Sequence, residues 1–193
     1  MASEAPDDER ARDRLLEAAE RVFYARGIQA VSMAELRTAA ELPLKRIYAL
    51  YPGKDEVVCA FLRRRHDRMM AVIGARVDAA GPGARVAALF DWLRDWCAEP
   101  GFRGCAWMNA YGELGPTNEA IAAEALRHKR VFHEVVTGVP LAEGHSPAVA
   151  EGVHLLVEGA ITAAQVERSP APADRARAAA LLLTSRGRDP GGH

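Results

Sequence analysis

No stretch of this sequence alternates apolar and polar residues as a half-buried strand must, whereas Ala, Leu, Glu and Arg recur at helical spacing almost throughout. The chain is therefore expected to be all-α, with its helices set off by proline and glycine. A first helix is predicted from about Asp7 and Asp8 to Arg26, with Leu15, Ala18, Ala19, Val22 and Phe23 on its buried face and Gly27 as a left-handed cap. Ser32-Met33-Ala34-Glu35 is a capping box, in which the hydroxyl serves the third helical N–H and the glutamate reaches back to the cap. It starts a short helix, Met33 to Ala40, that Glu41-Leu42-Pro43 breaks because proline disfavours helical geometry at the residue before it. A second short helix runs from Leu44 to about Tyr51 and stops at Pro52-Gly53. Two short helices joined by a tight turn behind a longer amphipathic one have the outline of a helix-turn-helix.

Beyond it the pattern predicts a long helix from Lys54 or Asp55 to about Ala79, then Gly81-Pro82-Gly83, and a helix carrying Leu89, Phe90, Trp92, Leu93 and Trp96. Further helices are expected at Cys105 to Glu113, at Asn118 to Val136, through the stripe Val149 to Ala164, and from Asp174 to about Ser185. A loop is expected from Gly138 to Pro147, and residues 187–193 are expected to be a disordered tail.

A hydrophobic content of 49% over 193 residues suffices for a substantial core, and a net charge of -1 means that any nucleic-acid surface has to be local. The acidic start, Met1 to Glu9, is unlike a secretory or transit peptide, and the apolar run Ala178 to Leu183 is far too short to span a membrane, so a cytoplasmic location is expected. Cys59, Cys97 and Cys105 form neither a CxxC pair nor an even set, which argues for reduced, buried thiols. No nucleophile elbow, phosphate-binding glycine loop or His-Glu-x-x-His motif is present; no enzyme activity, cofactor or metal is predicted.

A recognition helix buries one face and offers the other to base edges in the major groove. With Ile47 and Tyr51 buried, Lys45, Arg46 and Ala49 remain for the groove and Leu44 lies near the helix start. Lys and Arg suit guanine O6 and N7, while Ala49 and Leu44 offer only apolar contact to a thymine methyl.

The segment from Ala25 to Glu56 resembles the DNA-binding part of the TetR family of transcriptional regulators, in Ser32-Met-Ala-Glu-Leu36 and Ile47-Tyr-Ala-Leu-Tyr-Pro-Gly-Lys-Asp55. Farther on, only helix number, chain length and Gly104-Cys105 to Asn109 resemble the family. The resemblance implies a helix-turn-helix domain, residues 1–53, that binds double-stranded operator DNA, and a helical ligand-binding and dimerisation domain, residues 54–186. It also implies phosphate contacts from Tyr48 and Lys54, with Ser32 adding a helix-start hydroxyl or N–H and Arg37 a further contact. The sequence departs from the family at Glu41, where Gly is usual and a left-handed backbone would cost roughly 1 kcal/mol. It departs also at Pro43 in place of a Ser cap, at Arg37 and at Leu50.

The last two helices, with Gly152, Gly159, Ala160 and Ala163 on one and Ala176, Ala179, Ala180 and Leu183 on the other, suggest half of a four-helix homodimer interface. The family's inducer cavity implies a small-molecule ligand lined by Trp92, Trp96, Trp107, Met108, Asn109, Tyr111, His128, Phe132, Leu155 and Glu158. The function expected is a repressor released from a palindromic operator by that ligand. The rival reading is a metal- or redox-sensing regulator using Cys97 or Cys105 with His128, His133 or His154.

Overall fold

The computed structural model describes residues 4–186; the expected disordered tail lies outside them. Among the described residues there are nine helices and no strand: α1 Glu4–Arg26, α2 Met33–Ala40, α3 Leu44–Leu50, α4 Lys54–Asp78, α5 Arg85–Ala98, α6 Ala106–Leu114, α7 Glu119–Ala142, α8 Pro147–Glu167 and α9 Ala171–Arg186. The all-α expectation holds. The structure differs from the predicted boundaries at prolines. Pro6 and Pro172 sit inside the first turns of α1 and α9, where a missing N–H costs nothing, so both helices start earlier than predicted. Pro140 lies inside the last turn of α7, which continues to Ala142 and replaces most of the expected loop. The chain leaves α7 through Gly144 at φ 82°, with the Gly144 and His145 N–H groups returning to the carbonyls of Leu141 and Pro140.

The chain divides into two compact units. The first comprises residues up to Asp67 together with Ala106–His128. Its core takes Leu15, Ala18, Ala19 and Phe23 from α1, Leu36 from α2, Ile47 from α3, Val57, Val58, Phe61 and Leu62 from α4, and Trp107 and Ala110 from α6. Full burial of side chains of this size is worth about 1.5–3 kcal/mol each, so the three N-terminal helices hold together mainly through this cluster. The basic run Arg63-Arg64-Arg65 is spent on internal pairs. Arg63 binds buried Glu124 at 2.6 Å, Arg64 binds Glu17 at 3.1 Å, and Arg65 binds Glu20 at 2.5 Å while lying 4.4 Å from the Tyr24 ring centroid.

In the second unit, Arg68–Cys105 with the residues from Lys129 onward, α5, α8 and α9 pack on one another. Leu89, Phe90 and Leu93 of α5 are buried, as are Val153, Val157, Ile161 and Ala164 of α8 and Ala173, Ala176 and Ala180 of α9. Gly152 admits α9 closely, since a Cβ there would lie 2.7 Å from Leu183 Cδ2. No described helix is long and apolar enough to cross a membrane.

Candidate nucleic-acid interface

The interface is built from α1 upward. α1 ends at Gly27, φ 88°, and the turn after it is gripped by Glu113 of α6: its carboxylate accepts from the Ile28 N–H at 3.0 Å and the Gln29 N–H at 2.8 Å. The Gln29 side chain returns a bond to the Glu113 carbonyl at 2.6 Å. α2 then opens with the complete capping box: the Glu35 N–H donates to Ser32 Oγ at 3.2 Å, and the Ser32 N–H donates to Glu35 Oε2 at 2.8 Å. The Ser32 hydroxyl also donates to Glu35 Oε2, at 2.9 Å, so both Ser32 donors proposed for phosphate lie within the cap. The Ser32 N–H foremost, and then Arg26 at 2.8 Å, hold the Glu35 carboxyl at about 2, well below the usual range.

α2 ends at Glu41, which adopts φ 53°, ψ 41°. The Leu42 N–H reaches the Arg37 carbonyl at 3.2 Å, the long bond of a Schellman motif, in which glycine normally takes the left-handed position. Two α1 arginines compensate. Arg14 donates to the carbonyls of Ala40 and Glu41, both at 3.2 Å, and Arg21 to that of Ala39 at 3.0 Å, placing cations at the negative end of α2. Pro43, φ -60°, ψ 139°, then starts α3 without a side-chain cap, its carbonyl accepting from the Arg46 and Ile47 N–H groups.

α3 is only seven residues long, and its orientation is set by Ile47, which is completely buried. Leu44, Lys45, Tyr48 and Ala49 are exposed, and their i, i+1, i+4, i+5 spacing puts them on one face. Tyr51 follows as an extended, half-buried cap. Arg46, expected to be available to the groove, is instead bound by Asp7 and Asp8 of α1, each at 2.7 Å. Arg46 also borders a cleft of about 370 Å³ between the start of α1 and the α2–α3 turn, alongside Arg10, Arg14 and Leu42. Lys54 is the first residue of α4, with Nζ 5.9 Å from the Phe23 ring centroid, and Arg37 is exposed on α2.

The residues expected around a ligand divide between the two units. In the first, buried Trp107 stacks on His128 with parallel rings and centroids 3.4 Å apart, and His128 Nδ1 lies 2.9 Å from Nδ1 of buried His66. Burial foremost lowers the His66 pKa. Asn109 is half-buried, whereas Met108 and Tyr111 lie on the exposed face of α6. In the second unit Trp92 and Trp96 are buried and stacked at 5.5 Å. Phe132 is buried, edge-on to His154 at 6.4 Å, and Glu158 accepts from Lys129 Nζ at 2.8 and 2.6 Å. Leu155, at 67% exposure, lies off the buried stripe of α8.

The cysteines are buried and none is in a disulfide among the described residues, and burial pushes the Cys97 thiol up to about 12, the opposite of what a reactive thiolate needs. Sequence reasoning placed Asp7 and Asp8 only at the start of the first helix, missing their pairing with Arg46, and it missed Arg14, Arg21 and Glu113. Arg14 and Arg21 are two turns apart on α1, a detectable spacing, but the Glu113 partners lie 84 and 85 residues away and leave no local signal.

A capped α2, a left-handed turn and an α3 with one anchored and one open face define a DNA-binding regulator of the helix-turn-helix class. The comparisons with known proteins agree. The family model for bacterial regulatory proteins, tetR family, matches residues 15–61. A TetR-family transcriptional regulator from Streptomyces coelicolor is 27% identical, with a TM-score of 0.79 over 94% of this chain and 97% of that one. NemR from E. coli, in its reduced form, is 20% identical with a TM-score of 0.78 over 90% and 97% of the two chains, a likeness of fold. A TetR regulator from Chloroflexus aurantiacus is 15% identical with a TM-score of 0.78 over 94% and 97%, again in fold. No curated protein matches. Residues 15–61 thus match the DNA-binding segment of tetR-family regulatory proteins, and the chain as a whole shares the fold of solved TetR-family transcriptional regulators.

Proposed function

We propose that this regulator is a cytoplasmic homodimeric repressor that places α3 in the major groove of a palindromic operator and is released by a small organic ligand. The reading divides the chain functionally into a DNA-binding domain, residues 1–53, and a ligand-binding and dimerisation domain, residues 54–186. The observation that carries it is the open face of α3. Lys45 reads base edges there, Leu44 and Ala49 offer apolar contact, and Tyr48 clamps phosphate with Lys54 and Arg37 beside it. Arg46 joins the base contacts once released from Asp7 and Asp8.

The dimer reading rests on an uncovered apolar stripe. Leu155, Gly159, Thr162 and Val166 of α8 recur at i, i+4, i+7, i+11, all exposed, and Ala178 and Leu182 of α9 are exposed too. Val166 and Leu182 are 79% and 63% exposed, unusual for side chains of this kind. The seam therefore differs from the one predicted: Ala160, Ala176 and Ala180 serve the protomer's own core, and Gly152 serves α8–α9 packing. The ligand reading rests on the likeness to TetR-family regulators and on the aromatic residues Trp92, Trp96 and Phe132 of the second unit.

Selection of bound fragments from random DNA tests the proposal. A palindrome is expected, bound by a particle of twice the chain mass. Tyr48→Ala and Lys54→Ala should weaken binding to all sequences alike, and Lys45→Ala should also relax base preference. Enrichment of no sequence, or of a single asymmetric half-site bound by a monomer, refutes it.

A further inference from the structure

Within the second unit, α7 and α8 bring together a group of side chains that neither the core nor the DNA-binding reading uses. His133 of α7 donates from Nε2 to Glu151 of α8, with the two carboxylate oxygens at 2.9 and 3.1 Å. His154 lies one turn beyond Glu151 on the same face of α8, and its ring centroid is 4.7 Å from that of His133 at an interplanar angle of 78°. One ligand atom from each of the three lies within 4.8 Å of the others, and no other such trio of His, Cys, Asp or Glu exists among the described residues.

A plain histidine–glutamate hydrogen bond accounts for His133 and Glu151 but not for His154. The His154 Nε2 is buried and has no hydrogen-bond partner. The nearest carboxylate oxygen, Glu158 Oε1, is 3.6 Å away and is already held by the Lys129 ammonium. A buried imidazole nitrogen without a partner is costly, so hydrogen bonding within the protomer leaves the His154 ring unaccounted for.

We propose that His133, Glu151 and His154 form a binding site for a divalent transition-metal ion of the zinc class. Two imidazoles and one carboxylate favour Zn²⁺, Co²⁺, Ni²⁺ or Cu²⁺ over Mg²⁺ and Ca²⁺, which take oxygen ligands. Tetrahedral coordination at 2.0–2.1 Å sets ligand atoms roughly 3.3 Å apart. The His133–Glu151 pair is already near that spacing, and the third atom closes the remainder by side-chain rotation. Glu151 and His133 are 55% and 40% exposed, so an ion has an open approach. Three protein ligands leave a fourth position for water or for a donor atom of a small molecule. Lys129 pairs with Glu158, which leaves Glu151 as the carboxylate of the trio available to the ion.

The test is a metal titration of the whole chain, stripped by chelator, in the absence of DNA, so that its outcome is independent of the operator reading. Co²⁺ should give visible absorption bands of a low-coordinate nitrogen–oxygen site that saturate at one ion per chain, Zn²⁺ should displace it, and Mg²⁺ should not. His133→Ala, His154→Ala and Glu151→Gln should each weaken binding by roughly tenfold or more. Glu151 is exposed, so its variant keeps the fold and remains informative even where a histidine variant does not. Absence of saturable Co²⁺ or Zn²⁺ binding, or binding unchanged in Glu151→Gln, overturns the proposal.

Discussion

If Arg46 reads base edges as proposed, Asp7 and Asp8 must first release it, which predicts a measurable competition between the protein's own carboxylates and DNA. The guanidinium makes two ion pairs at 2.7 Å, with side chains 33% exposed for Arg46, 65% for Asp7 and 34% for Asp8. Pairs this accessible are worth about 0.2–1 kcal/mol each, so releasing Arg46 costs about 0.4–2 kcal/mol. Asp7→Asn with Asp8→Asn should remove that cost and tighten operator binding roughly 2- to 30-fold per half-site. Removing two negative charges near phosphate also favours DNA generally, so the decisive measurement is a double-mutant cycle with Arg46→Ala, read by fluorescence anisotropy on the selected operator. The carboxylate substitutions should gain substantially more affinity when Arg46 is present than when they are combined with Arg46→Ala. Equal gains in both would show that the acidic pair acts through its field alone and would refute the clasp.

Three further outcomes concern stability. Glu41→Gly should stabilise the protein by about 1 kcal/mol, because the left-handed backbone is relieved of its side chain while the exposed Arg14–Glu41 pair contributes little; urea unfolding measures it. Glu113→Ala should destabilise by about 1.5–3 kcal/mol by leaving the Ile28 and Gln29 N–H groups without their acceptor, with Glu113→Gln less damaging, as thermal unfolding will show. Because burial lowers the His66 pKa below its ordinary 6.5, the unfolded chain takes up a proton that the folded chain refuses. Stability is therefore full above that ordinary value and falls as the pH drops through it, by at most about 1.4 kcal/mol per pH unit for one proton. His66→Gln should flatten the decline between about pH 7.5 and 5.5, a window that brackets the ordinary histidine pKa, and an unchanged slope would contradict the assignment.

What can be read from the sequence is what local physics writes into it. The capping box at Ser32, the proline start of α3 and the glycine after α1 act over three or four residues, so their sequence pattern is their structure, and α2 begins and ends at the predicted residues. Pro140 misleads the reading of α7 because proline breaks a helix interior but is tolerated where few residues follow it, and where a helix ends depends on Gly144 beyond it. The proposed DNA face is legible as residue types and not as availability: Lys45 and Arg46 are equivalent in the sequence, yet only the position of the α1 N-terminus decides that one is open and the other clasped. The same limit governs the second unit. Helical periodicity cannot distinguish an apolar stripe that closes the protomer from one left uncovered, so the pattern points to Ala160 and Ala180, which α8 and α9 bury within the protomer. Nor can spacing along the chain pair His133 with His154, 21 positions away, since their proximity exists only because α7 and α8 face each other there.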